Sequence, residues 1–287
     1  MLVREALAQA TIQLRSEGVE SPRLDAELLL AHVLGVNRAA LFTRPDRPLT
    51  PKELTRYRDL VARRTDREPL AYIVGHREFF GLDFAVGPAV LIPRPETELL
   101  VEHALRRARR LGPTPEIADV GAGSGAIAVA LAVHLPEATI FALDGSAEAL
   151  AVAAENSRRH AVAGRVHCLH GDLVAPLPRP VDLIVANLPY VTTEEWKGLP
   201  PEIRDHEPRA ALDGGPDGLA LIRRLLPAAA PCLRPEGAIL LEIGAGQGQA
   251  ATALARQHFP LAEVQVYQDY ASLDRLVVVE VGKQTVI

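Results

Sequence analysis

Short apolar runs alternate with helix-like stretches from residue 116 to the end of the chain, and no other feature constrains the fold as strongly. Strand-like runs fall at 117–120, 139–143, 165–170, 183–186, 238–243, 263–267 and 276–281. Helical spacing fills 125–134, 147–160, 217–230 and 247–258. Such alternation predicts a mostly parallel sheet covered by helices on both faces. Too few residues separate the last two runs for a helical crossover, so that pair is expected to be antiparallel and to complete a seven-stranded α/β sheet.

The first 72 residues read differently. Residues 2–17 and 22–35 carry apolar side chains at helical spacing, among them Val3, Ala6, Leu7, Ala10 and Leu14. Ser21-Pro22 resembles an N-cap followed by a first-turn proline, and Gly35 a helix stop. Thr50-Pro51-Lys52-Glu53 has capping-box spacing and opens a helix expected to reach about residue 67. Nothing in residues 1–70 resembles a strand, so a small helical bundle is expected, either a stabilising cap or a partner-recognition module. A hairpin is predicted around Gly81-Leu82-Asp83, followed by an extended proline-bounded segment at 90–98. The expected organisation is a bundle at 1–72, a hairpin linker at 73–92 and a catalytic domain at 93–287.

With 48% hydrophobic and 23% charged residues the chain can build a sizeable core. A formal charge of −5 argues against a dedicated nucleic-acid binder. Residues 1–72 carry +2 and the remainder −7, a mild asymmetry. Cys168 and Cys232 are the only cysteines, which suggests neither a disulfide framework nor a zinc ribbon. His167 and Cys168 point to opposite faces of a strand, so no metal site is expected there. No signal-peptide core or membrane-length apolar run is present, and no heptad seam, so a cytoplasmic monomer is expected.

The candidate chemistry lies where strands end. Asp119-Val120-Gly121-Ala122-Gly123-Ser124-Gly125 places a glycine turn between a strand and a helix, where backbone N–H groups and the helix dipole can receive a ligand. Asp144 ends the next strand, 23 residues beyond Gly121, where a carboxylate can accept from ribose hydroxyls. A dinucleotide fits that much of the pattern. Asp172-Leu173 follows the third strand, and Asn187-Leu188-Pro189-Tyr190 follows the fourth. The last of these offers a carboxamide and a flat ring to a planar group bearing N–H donors, such as an amide or an amino-purine. A second glycine turn, Gly244-Ala245-Gly246-Gln247-Gly248, has too little chain after it for another nucleotide half-sheet and reads as a strand–helix turn.

Asp119 with its glycine turn is similar to the first motif of S-adenosylmethionine (SAM) methyltransferases. Over nearly its whole length the chain also resembles the release factor glutamine N5-methyltransferases. The resemblance rests on Tyr72-Ile73-x-Gly75, Glu78-Phe79, Val90-Leu91-Ile92-Pro93-Arg94-Pro95-Glu96-Thr97-Glu98, Glu207-Pro208 and Gly214-Gly215-x-Asp217-Gly218-Leu219. One departure is Leu188, where that family usually has proline; Asn-Leu-Pro-Tyr is similar to the motif of ribosomal RNA adenine-N6 dimethyltransferases.

The resemblance implies a Rossmann-like SAM-methyltransferase sheet and methylation of the glutamine in the Gly-Gly-Gln segment of class-I release factors, with no stable nucleic-acid partner. It implies that Asn187, Leu188, Pro189 and Tyr190 hold the substrate amide, with Arg94 near the substrate. It implies that Asp119, Gly121, Ala122, Gly123, Ser124, Gly125, Asp144, Asp172, Leu173 and Asn187 face SAM. The alternatives are an RNA adenine methyltransferase and a SAM-binding interaction module without activity.

Overall fold

The computed structural model describes residues 1–282. The chain divides into two compact units, one formed by Met1–His76 with Pro200–His206, the other by Arg77–Leu199 with Glu207–Ile287.

The first unit is helical. Helices span Val3–Ser16, Pro22–Leu34 and Pro51–Thr65, and shorter ones Arg38–Thr43 and Leu70–Val74. Val3, Ala6, Ala10 and Leu14 are buried along one stripe of the first, as their spacing requires. Gly35 adopts φ 64° and stops the second helix, while Ser21 makes no side-chain capping bond and leaves the start to Pro22. Thr50 and Glu53 form the reciprocal capping box. Leu14, Leu29, Leu30 and Tyr57 fill the core, where the Tyr57 hydroxyl donates to the Ala26 carbonyl at 3.0 Å. Buried Arg64 pairs with Asp25 at 2.7 Å and with Glu202 at 3.1 Å, and Arg67 joins the same Glu202 at 2.7 Å.

The second unit is built on the predicted sheet. A two-stranded hairpin, β1 (His76–Phe79) and β2 (Leu82–Ala85), precedes it. The main strands are β3 (Glu116–Val120), β4 (Thr139–Asp144), β5 (Val166–His170), β6 (Val181–Ala186), β7 (Leu233–Glu242), β8 (Glu263–Gln268) and β9 (Asp274–Glu280). Their order is β5-β4-β3-β6-β7-β9-β8. The first five are parallel; β9 inserts antiparallel between β7 and β8.

Alternating side chains leave the two faces of the sheet. Ile117, Ile140, Leu183, Val185 and Leu240 pack with the helices Glu98–Leu111 and Ala126–His134. Val120, Leu143, Ile184, Ala186 and Leu241 pack with Ala220–Ala229 and Gly248–His258. Covering both faces removes the polar alternation expected of a half-wet sheet, which explains the continuous apolar runs of the sequence. β4 and β5 lie to one side of β3 and β6 to the other, so the chain reverses direction across the sheet beside β3. In open α/β sheets ligands bind outside the carboxyl ends of the strands at such a reversal.

Candidate active site

A cleft of about 500 Å³ opens at that reversal, lined by residues following β3, β4, β5 and β6. Gly121, Ala122, Gly123, Ser124, Asp144, Asp172, Leu173, Asn187, Leu188, Pro189 and Arg94 all line it. Asp119, Gly125 and Tyr190 stand outside the lining.

Asp119 is fully buried beneath the glycine turn, where its Oδ2 accepts from the Ala128 amide at 3.0 Å. Its Oδ1 has no partner among the described residues. Burial pushes its carboxyl up to about 7, and the nearby charge of Asp144 adds to the rise while the Ala128 bond opposes it. Gly125 has φ 76° and heads the Ala126–His134 helix; a Cβ there would come within 2.9 Å of the Ala153 Cβ. That glycine lets the helix begin against its neighbour and turns free N–H groups toward the cleft.

Asp144 holds the turn from the next strand. Its Oδ2 accepts from Gly123 N at 2.9 Å and its Oδ1 from Ser146 N at 2.8 Å. An ionised carboxylate has about four lone-pair positions, so both oxygens can accept further bonds. Asp172 accepts from Arg224 at 2.6 Å, and Leu173 sits in the left-handed region at φ 47°. A non-glycine residue in that region is uncommon and costs backbone energy.

The tetrapeptide after β6 divides its side chains between cleft and interior. Leu188 is 3% exposed and packs with Val120, Ala186 and Leu219. Its Cδ2 lies 3.2 Å from where a Cβ on Gly121 would stand, so the side chain fills space behind the glycine turn. Asn187 donates through Nδ2 to the hydroxyl of buried Thr97 at 3.0 Å. That leaves its Oδ1 as the carboxamide group still without an assigned partner among the described residues. The Tyr190 hydroxyl is directed at Glu242 Oε1 at 3.4 Å, and burial first, then the Glu242 charge, push the phenol up to about 12.

Several supports escaped the sequence reading. Glu207 is buried and accepts from Ile92 N at 3.0 Å and from the Arg94 guanidinium, so Arg94 is held by a carboxylate 113 residues away rather than by exposed Glu96. Gln247 donates to the Tyr190 carbonyl at 2.9 Å and accepts from Gly244 N at 2.8 Å. The second glycine turn is therefore a strand–helix turn, as read, and also a brace for the tetrapeptide. Glu242 ends β7 at 1% exposure. A carboxylate closing an apolar strand, the same pattern that marked Asp144, was the signal that could have found it.

Comparison with known proteins agrees with this architecture. Residues 5–75 match the family model for the PrmC N-terminal domain, and residues 95–198 that for the methyltransferase small domain. A release factor glutamine methyltransferase of Moorella thermoacetica is 49% identical over 278 residues, covering 96% of this chain and 97% of that protein. The one from Geobacter sulfurreducens is 45% identical over 282 residues, covering 98% and 97%. Among solved structures, a methyltransferase from Pyrococcus furiosus gives a TM-score of 0.53 at 16% identity, covering 71% of this chain and 91% of its own, which supports the fold alone. On the length and identity of these matches, the chain belongs to the release factor glutamine methyltransferase family.

Proposed function

We propose that this chain methylates the side-chain amide nitrogen of the glutamine in a Gly-Gly-Gln segment of class-I release factors, with SAM as donor. The observation that carries the reading is the Asn187–Thr97 hydrogen bond, which occupies the amide nitrogen of Asn187 and leaves its oxygen for an N–H of the substrate. SAM supplies an electrophilic methyl group on a sulfonium sulfur and leaves as S-adenosylhomocysteine.

The cleft suits that donor. Gly121, Ala122, Gly123, Ser124 and Gly125 would receive its methionyl end at the helix N-terminus, above buried Asp119. Asp144 would accept from the ribose hydroxyls with the lone pairs left by its two backbone bonds. Asp172 and Leu173 would lie against the adenine.

A carboxamide nitrogen is a weak nucleophile because its lone pair is delocalised. Orientation must therefore contribute much of the rate. Asn187 Oδ1 would accept one substrate N–H and the Leu188 carbonyl the other, which raises electron density on nitrogen and aims its lone pair. Pro189 fixes the turn, and Tyr190 would wall the planar amide. Arg94, held by Glu207, would order the segment beside the substrate. No side chain is required as general base, since the proton can leave after methyl transfer.

Leu188 bears on the RNA alternative. Its side chain is buried behind the glycine turn, so a substrate at this position would meet backbone whether proline or leucine is present. This supports the glutamine reading despite the changed tetrapeptide. The first unit would meet the factor away from the reacting glutamine. Exposed Ile12, Leu24, Val36 and Phe42 give it apolar side chains to do so. The reading implies a cytoplasmic enzyme acting as a monomer. Among the described residues no helix is long and apolar enough to cross a membrane.

The test is incubation with labelled SAM and either a purified class-I release factor or small-subunit ribosomal RNA, followed by mass analysis of the Gly-Gly-Gln peptide. Methylation of that glutamine is expected. Label on RNA alone would overturn the reading, and label on neither would favour a binding module.

A further inference from the structure

The helix Ala147–Arg159 turns Ala149, Leu150, Ala153 and Asn156 to the interior. Helical spacing asks for an apolar side chain at the last of these positions as at the others. Asn156 is instead a fully buried carboxamide, which costs stability unless its polar atoms find partners. It finds them in two places. Ala85 N donates to its Oδ1 at 2.8 Å, and its Nδ2 donates to the Ala85 carbonyl at 3.0 Å and to the Ser124 carbonyl at 2.8 Å. Turning the carboxamide over would set its oxygen against both carbonyls, so one orientation alone satisfies it.

Those partners lead to two separate walls of the cleft. Ser124 belongs to the glycine turn and lines the cleft itself. Ala85 ends β2 outside the lining, but the chain that follows it reaches the cleft at Ala89, Val90 and Leu91. Buried polar side chains anchor that segment at both ends: Asn156 at Ala85, and Glu207 at Ile92, whose N–H it accepts at 3.0 Å. β1 and β2 pair only with each other, and an isolated two-stranded hairpin is marginally stable, so its place depends on such anchors. By exchanging both backbone bonds with Ala85, Asn156 does for the end of β2 what a neighbouring strand would do. The same helix also meets the glycine turn through Ala153, which packs against Gly125.

We propose that Asn156 is a positioning residue for the cofactor: one carboxamide, bonded to Ser124 and Ala85 together, sets the glycine turn and the 89–91 segment at the spacing that SAM requires. This role rests on the reading of the cleft as the SAM site. Asn156 does not line the cleft, so it acts only through these two backbone segments. It bears on cofactor binding rather than on methyl transfer, because Asn187 and Tyr190 are held by other bonds, from Thr97 and Gln247.

The experiment measures SAM binding by calorimetry and release-factor methylation on full-length Asn156→Asp and Asn156→Ala. The first keeps the size and the acceptor for Ala85 N but puts oxygen where two carbonyls need a donor; the second removes every bond. Both lose thermal stability whatever role the residue has, so binding is measured well below each melting temperature, on protein that circular dichroism shows to be folded. The SAM dissociation constant and the KM for SAM are expected to rise on the order of 10- to 100-fold, the scale of losing a buried support of a binding site. At saturating SAM, kcat should return to within about threefold of wild type, as for a loss of binding alone. A folded variant whose SAM affinity stays within about twofold of wild type would overturn the proposal, as would a kcat that saturating SAM fails to restore. A measurement on the wild type decides the matter even where neither variant folds. Hydrogen exchange of the Ala85 amide, which donates to Asn156, should slow at least about fivefold when SAM is bound, although Ala85 does not line the cleft. An Ala85 amide indifferent to SAM overturns the coupling. A wild-type protein that binds no SAM overturns the underlying reading and this proposal with it.

Discussion

The side-chain nitrogen of Asn187 donates to the Thr97 hydroxyl across 3.0 Å, although 90 positions separate them in the chain. The bond joins the end of β6 to the segment that precedes the Glu98–Leu111 helix. It fixes a carboxamide that lines the cleft yet packs little of the core.

Replacing Asn187 by Ala is therefore expected to separate chemistry from cofactor binding. Methylation of the release factor should fall by about 10²-fold or more, the scale of losing one preorganised polar contact to the reacting group. SAM affinity, measured by calorimetry, should change by less than about threefold, because the turn at 121–125 and Asp144 are untouched. A variant that is inactive because it no longer binds SAM contradicts the role assigned to Asn187.

The sheet was legible because both of its faces are buried, which turned each strand into an apolar run bounded by turn residues. Strand ends then brought Gly121, Asp144, Asp172 and Asn187 to one cleft, since parallel strands all deliver their carboxyl ends to the same edge. What sequence left hidden are pairings between distant segments. Glu207 holds Arg94 from 113 residues away, and Pro200–His206 belongs with the first unit through Glu202, although it lies far down the chain. The short helices Arg38–Thr43 and Leu70–Val74 were missed as well, because five or six residues carry too little periodicity to register.

Gly218 is expected to tolerate no side chain. It sits at φ 72°, and a Cβ would stand 2.1 Å from the Tyr190 carbonyl oxygen and 2.3 Å from Gln247 Nε2. Left-handed backbone alone costs an alanine about 1–2 kcal/mol, and the clash adds to it by pushing on the tetrapeptide. Gly218→Ala should lower the melting temperature by several degrees and cut kcat on the order of 10-fold, with a smaller change in SAM affinity. Unchanged kinetics in a correctly folded variant would show that the loop at 214–218 does not hold the tetrapeptide in register.

Arg64 is expected to be critical for the stability of the first unit. Its side chain is 7% exposed and bridges Asp25, 9% exposed, to Glu202. Removing one partner of a buried pair leaves an uncompensated charge, at a cost of about 3–5 kcal/mol. Arg64→Leu should lower the first urea-unfolding transition by that amount. Arg64→Leu combined with Asp25→Asn should recover part of the loss, since the stranded charge is then gone. A single variant that loses less than about 1 kcal/mol, the level of an exposed pair, would rule out a buried network.

Asp119 is expected to make stability depend on pH. In the folded chain burial, first, and then the charge of Asp144 push its carboxyl up to about 7. In the unfolded chain it titrates near 3.9, at about the ordinary aspartate value. Between those values the folded state binds the proton and the unfolded state does not, so unfolding releases it and stability falls as pH rises. The contribution is fully present below the unfolded value, is lost through the window up to about 7, and is constant above it. Asp119→Asn cannot exchange a proton, and its carboxamide oxygen can still accept from the Ala128 amide. Its unfolding free energy relative to wild type should therefore improve steadily from acid to neutral pH and then level off. Urea denaturation of both proteins across that range reads the difference directly. Parallel curves would mean that the buried carboxylate stays ionised throughout, with its free Oδ1 stabilised by a partner outside the described residues.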